Sequence, residues 1–406
     1  MTKSDAVRPP SILLIDDDPF ALKILERQLV NLGFPEVVTY ERAGDALTQI
    51  ERNPASVEIV FCDLQMPQMD GVEFVRHLVR IGYASALVLV SGEDSRVLQT
   101  VHRLAKGHRL NVLGILRKPV SPEGLRKIME GSLARTAAIS KPSQKEYGPQ
   151  ELAKAIACGE LVNHYQPKVV LGTGEVIGAE TLVRWRHPDD GLVFPDQFIG
   201  AAEESGLIDN LTRAVLASAL RDSRCWHDEG FALEVAVNVS MENLAAPDFP
   251  DWVERAAIEA RHPLPNLMLE VTESRLMREA LTPLENLARL RLKHIGLSID
   301  DFGTGHSSLA QLRDIPFTEL KVDHSFVHGA CADTFLRAIL EASLGMARQL
   351  GMRTVAEGVE DLEDWVFLRG CACDLAQGYF IARPMPAEQL ATWMEEWESR
   401  KGELVA

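Results

Sequence analysis

Residues 295–323 read IGLSIDDFGTGHSSLAQLRDIPFTELKVD. Two short apolar runs stand here, LSI and ELKV, and each stops on groups that can do chemistry: Asp300 with Asp301, and Lys321 with Asp323. Short apolar runs bounded by turn-forming residues read as strands. The same habit recurs on either side. Working outward, IGAE stops at Glu180, VAVN at Asn238, LMLE at Glu270, TVAE at Glu357 and LAQG at Gln377. Helical periodicity fills the intervals, so from Glu151 onward about eight strand-and-helix units follow one another, the repeat of a TIM-like (β/α)8 barrel. In a parallel barrel the C-terminal strand ends converge on one face, and these groups are expected around a common pocket there.

The chain before Glu151 uses the same α/β grammar in a smaller unit. Its apolar runs are ILLI (12–15), VEIVFC (57–62), ALVLV (86–90) and VLGIL (112–116), and Leu22, Leu25, Leu29 and Leu32 share one helix face. Ser121 and Pro122 are suited to open a last helix as N-cap and first residue. This alternation implies a parallel sheet in a doubly wound (βα)5 domain. The pattern fades in TAAISKPSQKEYGPQ (136–150), polar with two prolines. A linker is therefore placed at 133–149, between an N-terminal domain at 10–132 and a barrel at 150–400.

Composition narrows the function. Apolar residues make up 46% and charged residues 25% of the 406, which is ordinary globular usage. A formal charge of −17 repels duplex DNA, so no DNA partner is expected. The start, MTKSDAVRPP, has no apolar secretion signal, and no apolar run is long enough to span a bilayer. No membrane insertion and a cytoplasmic location are therefore expected. The six cysteines form no C-x-x-C pair and read as reduced thiols, mostly core.

In the N-terminal domain Asp16 and Asp17 follow the first run, Asp63 follows IVFC, and Lys118 precedes Pro119 after the last run. Converging at one sheet end, such carboxylates suit Mg2+, and one of them can be a phosphoryl nucleophile whose charge the lysine offsets. IDDDP, DLQMPQMDG, VSGED and LRKP resemble the motifs of bacterial response-regulator receiver domains. That resemblance implies Asp63 as phosphoacceptor, Asp16 and Asp17 as the Mg2+ site, Ser91 as switch hydroxyl, Lys118 as the phosphoryl-contacting lysine, and a sensor histidine kinase as phosphodonor. Ile115 stands where the family often has an aromatic residue.

In the barrel, Glu180, Asn238, Glu270, Asp300, Asp301, Asp323 and Glu357 form an all-oxygen ligand set, suited to Mg2+ or Mn2+ rather than zinc. So many acids would repel one another and a phosphodiester alike, which two divalent ions would remedy. Lys321 could orient or deprotonate water, or neutralise a phosphate oxygen. YQPK (165–168), ETLVRW (180–185), NVS (238–240), EVTES (270–274), DDFGTGHSS (300–308), KVD (321–323), EGVE (357–360) and QGY (377–379) resemble the EAL-type cyclic di-GMP phosphodiesterases. The resemblance implies those seven residues as metal ligands, Lys321 as the water-handling residue, and Glu180 and Glu357 as catalytic ligands, Glu357 also as a possible base. It further implies Gln166, Arg184, Glu360 and Gln377 as substrate contacts, and Glu273 as the anchor of the loop after Asp301. Thr181 and His306 depart from the family pattern, which usually has alanine and tyrosine there. His164, His187 and His324 read as ordinary packed or polar histidines, and Cys371 and Cys373 as core thiols.

The expected function is hydrolysis of cyclic di-GMP to linear 5′-pGpG, with two Mg2+ or Mn2+ ions in the barrel and one ion in the receiver, regulated by phosphorylation of Asp63. The rivals are an inactive sensor of the nucleotide and a phosphorylation-dependent adaptor. A homo-oligomer through the barrel is the default for such a regulated enzyme.

Overall fold

The computed structural model describes residues 10–405 except 54–55, 93–97, 99, 102–103, 106, 108–109, 130–146, 273–280, 305–311 and 313–314. The chain divides into two compact units, Met1–Ser143 and Gln144–Ala406.

The first unit is a five-stranded parallel sheet of β1 (Ile12–Ile15), β2 (Val37–Tyr40), β3 (Ile59–Asp63), β4 (Ala86–Ser91) and β5 (Asn111–Arg117), in the order β2-β1-β3-β4-β5. Its inner strands β1, β3 and β4 are buried along their whole length and read as apolar runs because both faces are covered. Leu13, Ile15, Val60, Cys62, Leu87 and Leu89 pack under helices Ala43–Arg52 and Gly71–Arg80. Their alternate neighbours Ile12, Leu14, Ile59, Phe61, Val88 and Val90 pack against helix Pro19–Asn31 and Leu125 and Met129 of helix 122–129. The expected double winding is therefore present. Of the three aspartates in IDDDP, Asp18 is the N-cap of Pro19–Asn31, accepting from Phe20 N at 2.8 Å. That leaves Asp16 and Asp17 at the end of β1.

The second unit is a closed barrel. Its strands are β6 (Leu161–Val170), β7 (Val176–His187), the short flanking β8 (Gly191–Val193), β9 (Glu234–Asn238), β10 (Leu267–Thr272), β11 (Gly296–Phe302), β12 (Glu319–Val322), β13 (Arg353–Ala356), β14 (Leu375–Ala376) and the flanking β15 (Met385–Pro386). The wall runs β6-β7-β9-β10-β11-β12-β13-β14 and returns to β6. All wall pairings are parallel except the two made by β6, which is antiparallel to β7 and β14. This corrects the expectation of uniformly parallel units. The cause is local: LGTGE (171–175) is a tight turn with Gly174 at φ 69°, and a turn that short can join only antiparallel strands. Glu180 consequently sits inside β7 rather than at its end, opposite Gln166 of β6.

Helices sheathe the wall, with Leu216 and Leu220 of Ile208–Asp228 and Leu340 and Leu344 of Thr334–Gln349 among the fully or nearly fully buried contacts. The expectation of mostly core cysteines is also corrected: Cys62 and Cys373 are buried, but Cys158 and Cys225 are exposed and Cys331 and Cys371 half-buried, all as free thiols. Among the described residues no helix is long and apolar enough to cross a membrane.

Candidate functional site

Lys321 stands at the centre of the barrel mouth. Its side chain is 1% exposed, and its Nζ lies 2.6 Å from Glu357, 3.0 Å from Glu270, 3.0 Å from Asp300 and 3.2 Å from Glu180. Those acids come from β7, β10, β11 and the residue after β13, so four separate strands aim at one ammonium. Burial opposes its charge, yet Asp300, Glu180, Glu270 and Glu357 outweigh burial and hold Lys321 well above the usual lysine range. The acids feel the converse. Burial pushes Glu270 and Glu357 well above the carboxylate range, and burial with Asp300 and Asp323 raises Asp301 to about 6. Glu180 goes the other way, because Lys321 and a hydrogen bond from Gln377 overcome its burial.

Gln377 is the organiser on the far wall: its Nε2 donates to Glu180 Oε2 at 2.7 Å and to Gln166 Oε1 at 3.0 Å, while Gln166 donates to the Ala382 carbonyl at 3.0 Å. Asn238 donates to Glu180 Oε1 at 3.1 Å. Asp301 takes φ 57°, a left-handed conformation that Asp tolerates, and its carboxylate lies within 4.8 Å of those of Asp300 and Glu357. A cavity of about 370 Å3 is lined by Gln166, Glu180, Asp300, Asp301, Glu357, Glu360 and Gln377, together with His324 and Tyr379. Gly358, at φ 66°, lets the chain after Glu357 pass against His324, where a Cβ would lie 2.4 Å away.

Two expected residues are engaged in other contacts. Asp323 caps the following helix turn, its Oδ1 accepting from Ser325 N at 2.9 Å and its Oδ2 lying 3.0 Å from His324 Nδ1. Arg184 does not line the cavity; it donates to the Val183 carbonyl at 2.8 Å and lies 4.9 Å from the Phe194 ring centroid. Glu273 and His306 lie outside the described residues. His324, expected to be an ordinary polar histidine, lines the mouth, a place its sequence neighbour Asp323 could have signalled.

The donors suit a hard divalent cation. Glu180, Glu270 and Asp300 form one cluster and Asp300, Asp301 and Glu357 another, each with oxygens within 4.8 Å of one another. Glu270 Oε1 is buried with no hydrogen-bond partner, and Asp300 Oδ1 meets only the Lys321 ammonium at 3.0 Å. A buried carboxylate oxygen without a hydrogen bond, in an acidic, all-oxygen site, fits Mg2+ or Mn2+.

The first unit has its own acidic site. Asp16 and Asp63 are 6% and 3% exposed, and Lys118 Nζ reaches them at 2.6 and 2.7 Å. Asp17 lies beside them within the same 4.8 Å cluster, and Ser91 is buried at the end of β4, its carbonyl accepting from Lys118 N at 2.9 Å. Burial raises Asp63 despite the Lys118 hydrogen bond. Ile115, half-buried on β5, packs against the core under the second and third helices.

Comparison with known proteins follows the same division. Residues 149–384 match the EAL domain family and residues 12–130 the response regulator receiver domain. The chain is 32% identical over 380 residues to the cyclic di-GMP phosphodiesterase RocR of Pseudomonas aeruginosa, spanning 93% of this chain and 97% of that protein. It is 44% identical over 243 residues to the bifunctional diguanylate cyclase/cyclic di-GMP phosphodiesterase MucR of the same organism, covering 59% of this chain but 35% of MucR. Among solved structures, the PaMucR phosphodiesterase in complex with c-di-GMP superposes with a TM-score of 0.57 at 42% identity, covering 59% of this chain and 98% of that one.

Proposed function

The chain belongs to the EAL domain family, with a response regulator receiver domain in front, and we propose that it hydrolyses cyclic di-GMP to linear 5′-pGpG under control of phosphorylation at Asp63. The observation that carries this reading is the convergence of Glu180, Glu270, Asp300 and Glu357 on Lys321, with Asp300 common to two clusters of possible ligands. Relatives that span this chain or its barrel are named as phosphodiesterases of this nucleotide.

The metal ligands in this reading are Glu180, Asn238, Glu270, Asp300, Asp301, Asp323 and Glu357, holding two Mg2+ or Mn2+ ions. Bound there, such ions neutralise a phosphodiester and acidify water. The chain's own groups do the rest. Lys321 presents a fixed ammonium at the centre of the cluster, where it offsets charge developing on a non-bridging phosphate oxygen. Glu357, 2.6 Å from Lys321 Nζ, is placed to take the proton of an attacking water. Gln377 and Gln166 fix Glu180 and, with Glu360, contact the substrate; Arg184 joins them by leaving the Phe194 ring. In the receiver, Asp63 attacks the phosphoryl group, Lys118 neutralises it, and Asp16 and Asp17 hold Mg2+. A sensor histidine kinase is the phosphodonor, and the enzyme works in the cytoplasm as a homo-oligomer through its barrel.

The test is incubation of the full-length protein with cyclic di-GMP in Mg2+ or Mn2+, with and without EDTA, followed by chromatography. Metal-dependent pGpG is expected; tight binding with no product in either metal overturns the enzymatic reading.

A further inference from the structure

Beneath the cavity the barrel interior holds a second layer of charge. The Lys168 side chain is fully buried, and its Nζ lies 3.2 Å from Glu234, 3.2 Å from Glu319 and 3.8 Å from Glu270. Arg353 closes the layer from below, its Nη2 2.7 Å from Glu234 and 2.6 Å from Glu319. Glu270 thus lies between two ammonium groups. Lys321 takes its Oε2 at 3.0 Å from above, and Lys168 stands 3.8 Å below Oε1, the oxygen with no hydrogen bond. Lys168, Glu234, Glu319 and Arg353 are absent from the lining of the mouth cavity, and Glu270 is the carboxylate that touches both layers.

Stability does not explain such a layer, because buried ion networks are commonly replaceable by apolar side chains at no loss. Its position does. A cluster of carboxylates that must receive dications needs its ligands aimed and its excess charge limited, and a buried lysine held by two other acids can do both from a place substrate never reaches.

We propose that Lys168 is a positioning residue for the barrel's metal site: an internal cation that holds Glu270 against Lys321 from below and, by offsetting part of the acidic charge, sets how tightly a divalent ion binds. This deepens the metal-dependent reading above and rests on it. Glu234, Glu319 and Arg353 hold Lys168 in place. The sign follows from Coulomb's law. Removing a fixed positive charge near the cluster strengthens its attraction for a dication, and removing an acid from the lower layer weakens it.

All six tryptophans lie in the barrel unit, so tryptophan fluorescence follows its unfolding without reporting the receiver. Full-length wild type, Lys168→Met, Glu234→Gln and the double variant are melted across a Mn2+ titration, with no substrate present. Lys168→Met is expected to melt lower without metal, yet to reach its half-maximal Tm shift at about tenfold lower Mn2+. Glu234→Gln is expected to need more Mn2+ than wild type, and the double variant to return toward it. A lower Tm for Lys168→Met with an unchanged Mn2+ midpoint makes the lysine merely structural and overturns the inference, while the wild-type response keeps the metal reading intact. Absence of any Mn2+ response in wild type overturns both. If Lys168→Met does not fold, Glu234→Gln decides: a raised midpoint supports the inference and an unchanged one overturns it.

Discussion

Replacing Lys321 by methionine keeps the volume of the side chain and removes a cation shared by Glu180, Glu270, Asp300 and Glu357, all within 3.2 Å of its Nζ. Breaking a buried pair by deleting one partner costs about 3–5 kcal/mol, since the remaining charge is left unpaired. Here four acids are left facing one another, so the upper end applies. In a domain of this size each kcal/mol moves Tm by about 2–4 °C, which gives a loss of about 10–20 °C in the metal-free protein. Loss of a positioned acid-base group lowers turnover by about 10²–10⁴-fold. The assay is a fluorescence melt with and without saturating Mn2+, beside single-turnover hydrolysis of cyclic di-GMP. Mn2+ is expected to restore much of the Tm, because it supplies positive charge to the same oxygens, and none of the turnover. A variant with wild-type Tm in EDTA refutes the claim that Lys321 is the counter-charge of the cluster. A variant with wild-type turnover refutes its role in the chemistry.

Three further outcomes are expected. Asp63→Asn abolishes phosphorylation by acetyl phosphate, read by phosphate-affinity electrophoresis; a retained shifted band refutes Asp63 as the acceptor. Gln377→Ala removes the donor to Glu180 and Gln166, costing about 1–3 kcal/mol, so kcat/KM should fall about ten- to a hundredfold. Unchanged kinetics would mean that Glu180 needs no orienting partner. The His328 imidazole is raised above its ordinary value of 6.5 by its hydrogen bond to Asp364, at 2.8 Å. Its stabilisation is complete below the unfolded value and is lost as pH rises through the higher folded one. Asp364→Asn should flatten the slope of Tm against pH above about 6.5, and an unaltered slope would remove His328 from the account.

Much of this site was legible because parallel strands end where a barrel collects its chemistry, so a list of strand-terminal acids is already a list of neighbours. What escaped the sequence did so for definite reasons. Glu180 looks strand-terminal in IGAE, but the LGTGE turn reverses β6 and lets β7 run on to His187, moving Glu180 to its middle. Arg184 shares ETLVRW with Glu180 and yet turns to the Phe194 ring, because side-chain direction beyond the backbone face is set by packing. Cys158 and Cys225 are exposed through the phase of their helices, which scattered cysteines do not disclose. Lys168, Glu234, Glu319 and Arg353 meet across sequence separations of up to 185 residues, visible only once the barrel closes.

The two layers of charge also show what the barrel gives up in stability. An apolar interior would be simpler to fold, since each buried acid must be desolvated and each buried lysine matched. The upper layer places Glu180, Glu270, Asp300 and Glu357 around one ammonium, and the lower layer repeats the arrangement with Glu234 and Glu319 around Lys168 and Arg353. Glu270 belongs to both. A carboxylate with cations on two sides has little freedom to rotate away, and Gln377 and Asn238 restrain Glu180 by hydrogen bonds in the same manner. These carboxylates are therefore aimed by folding itself, before any ion or nucleotide arrives. Preorganised charge of this kind is the largest contribution a protein makes to hydrolysing a phosphodiester, and it accounts for the investment in ion pairs where leucine would have sufficed for folding.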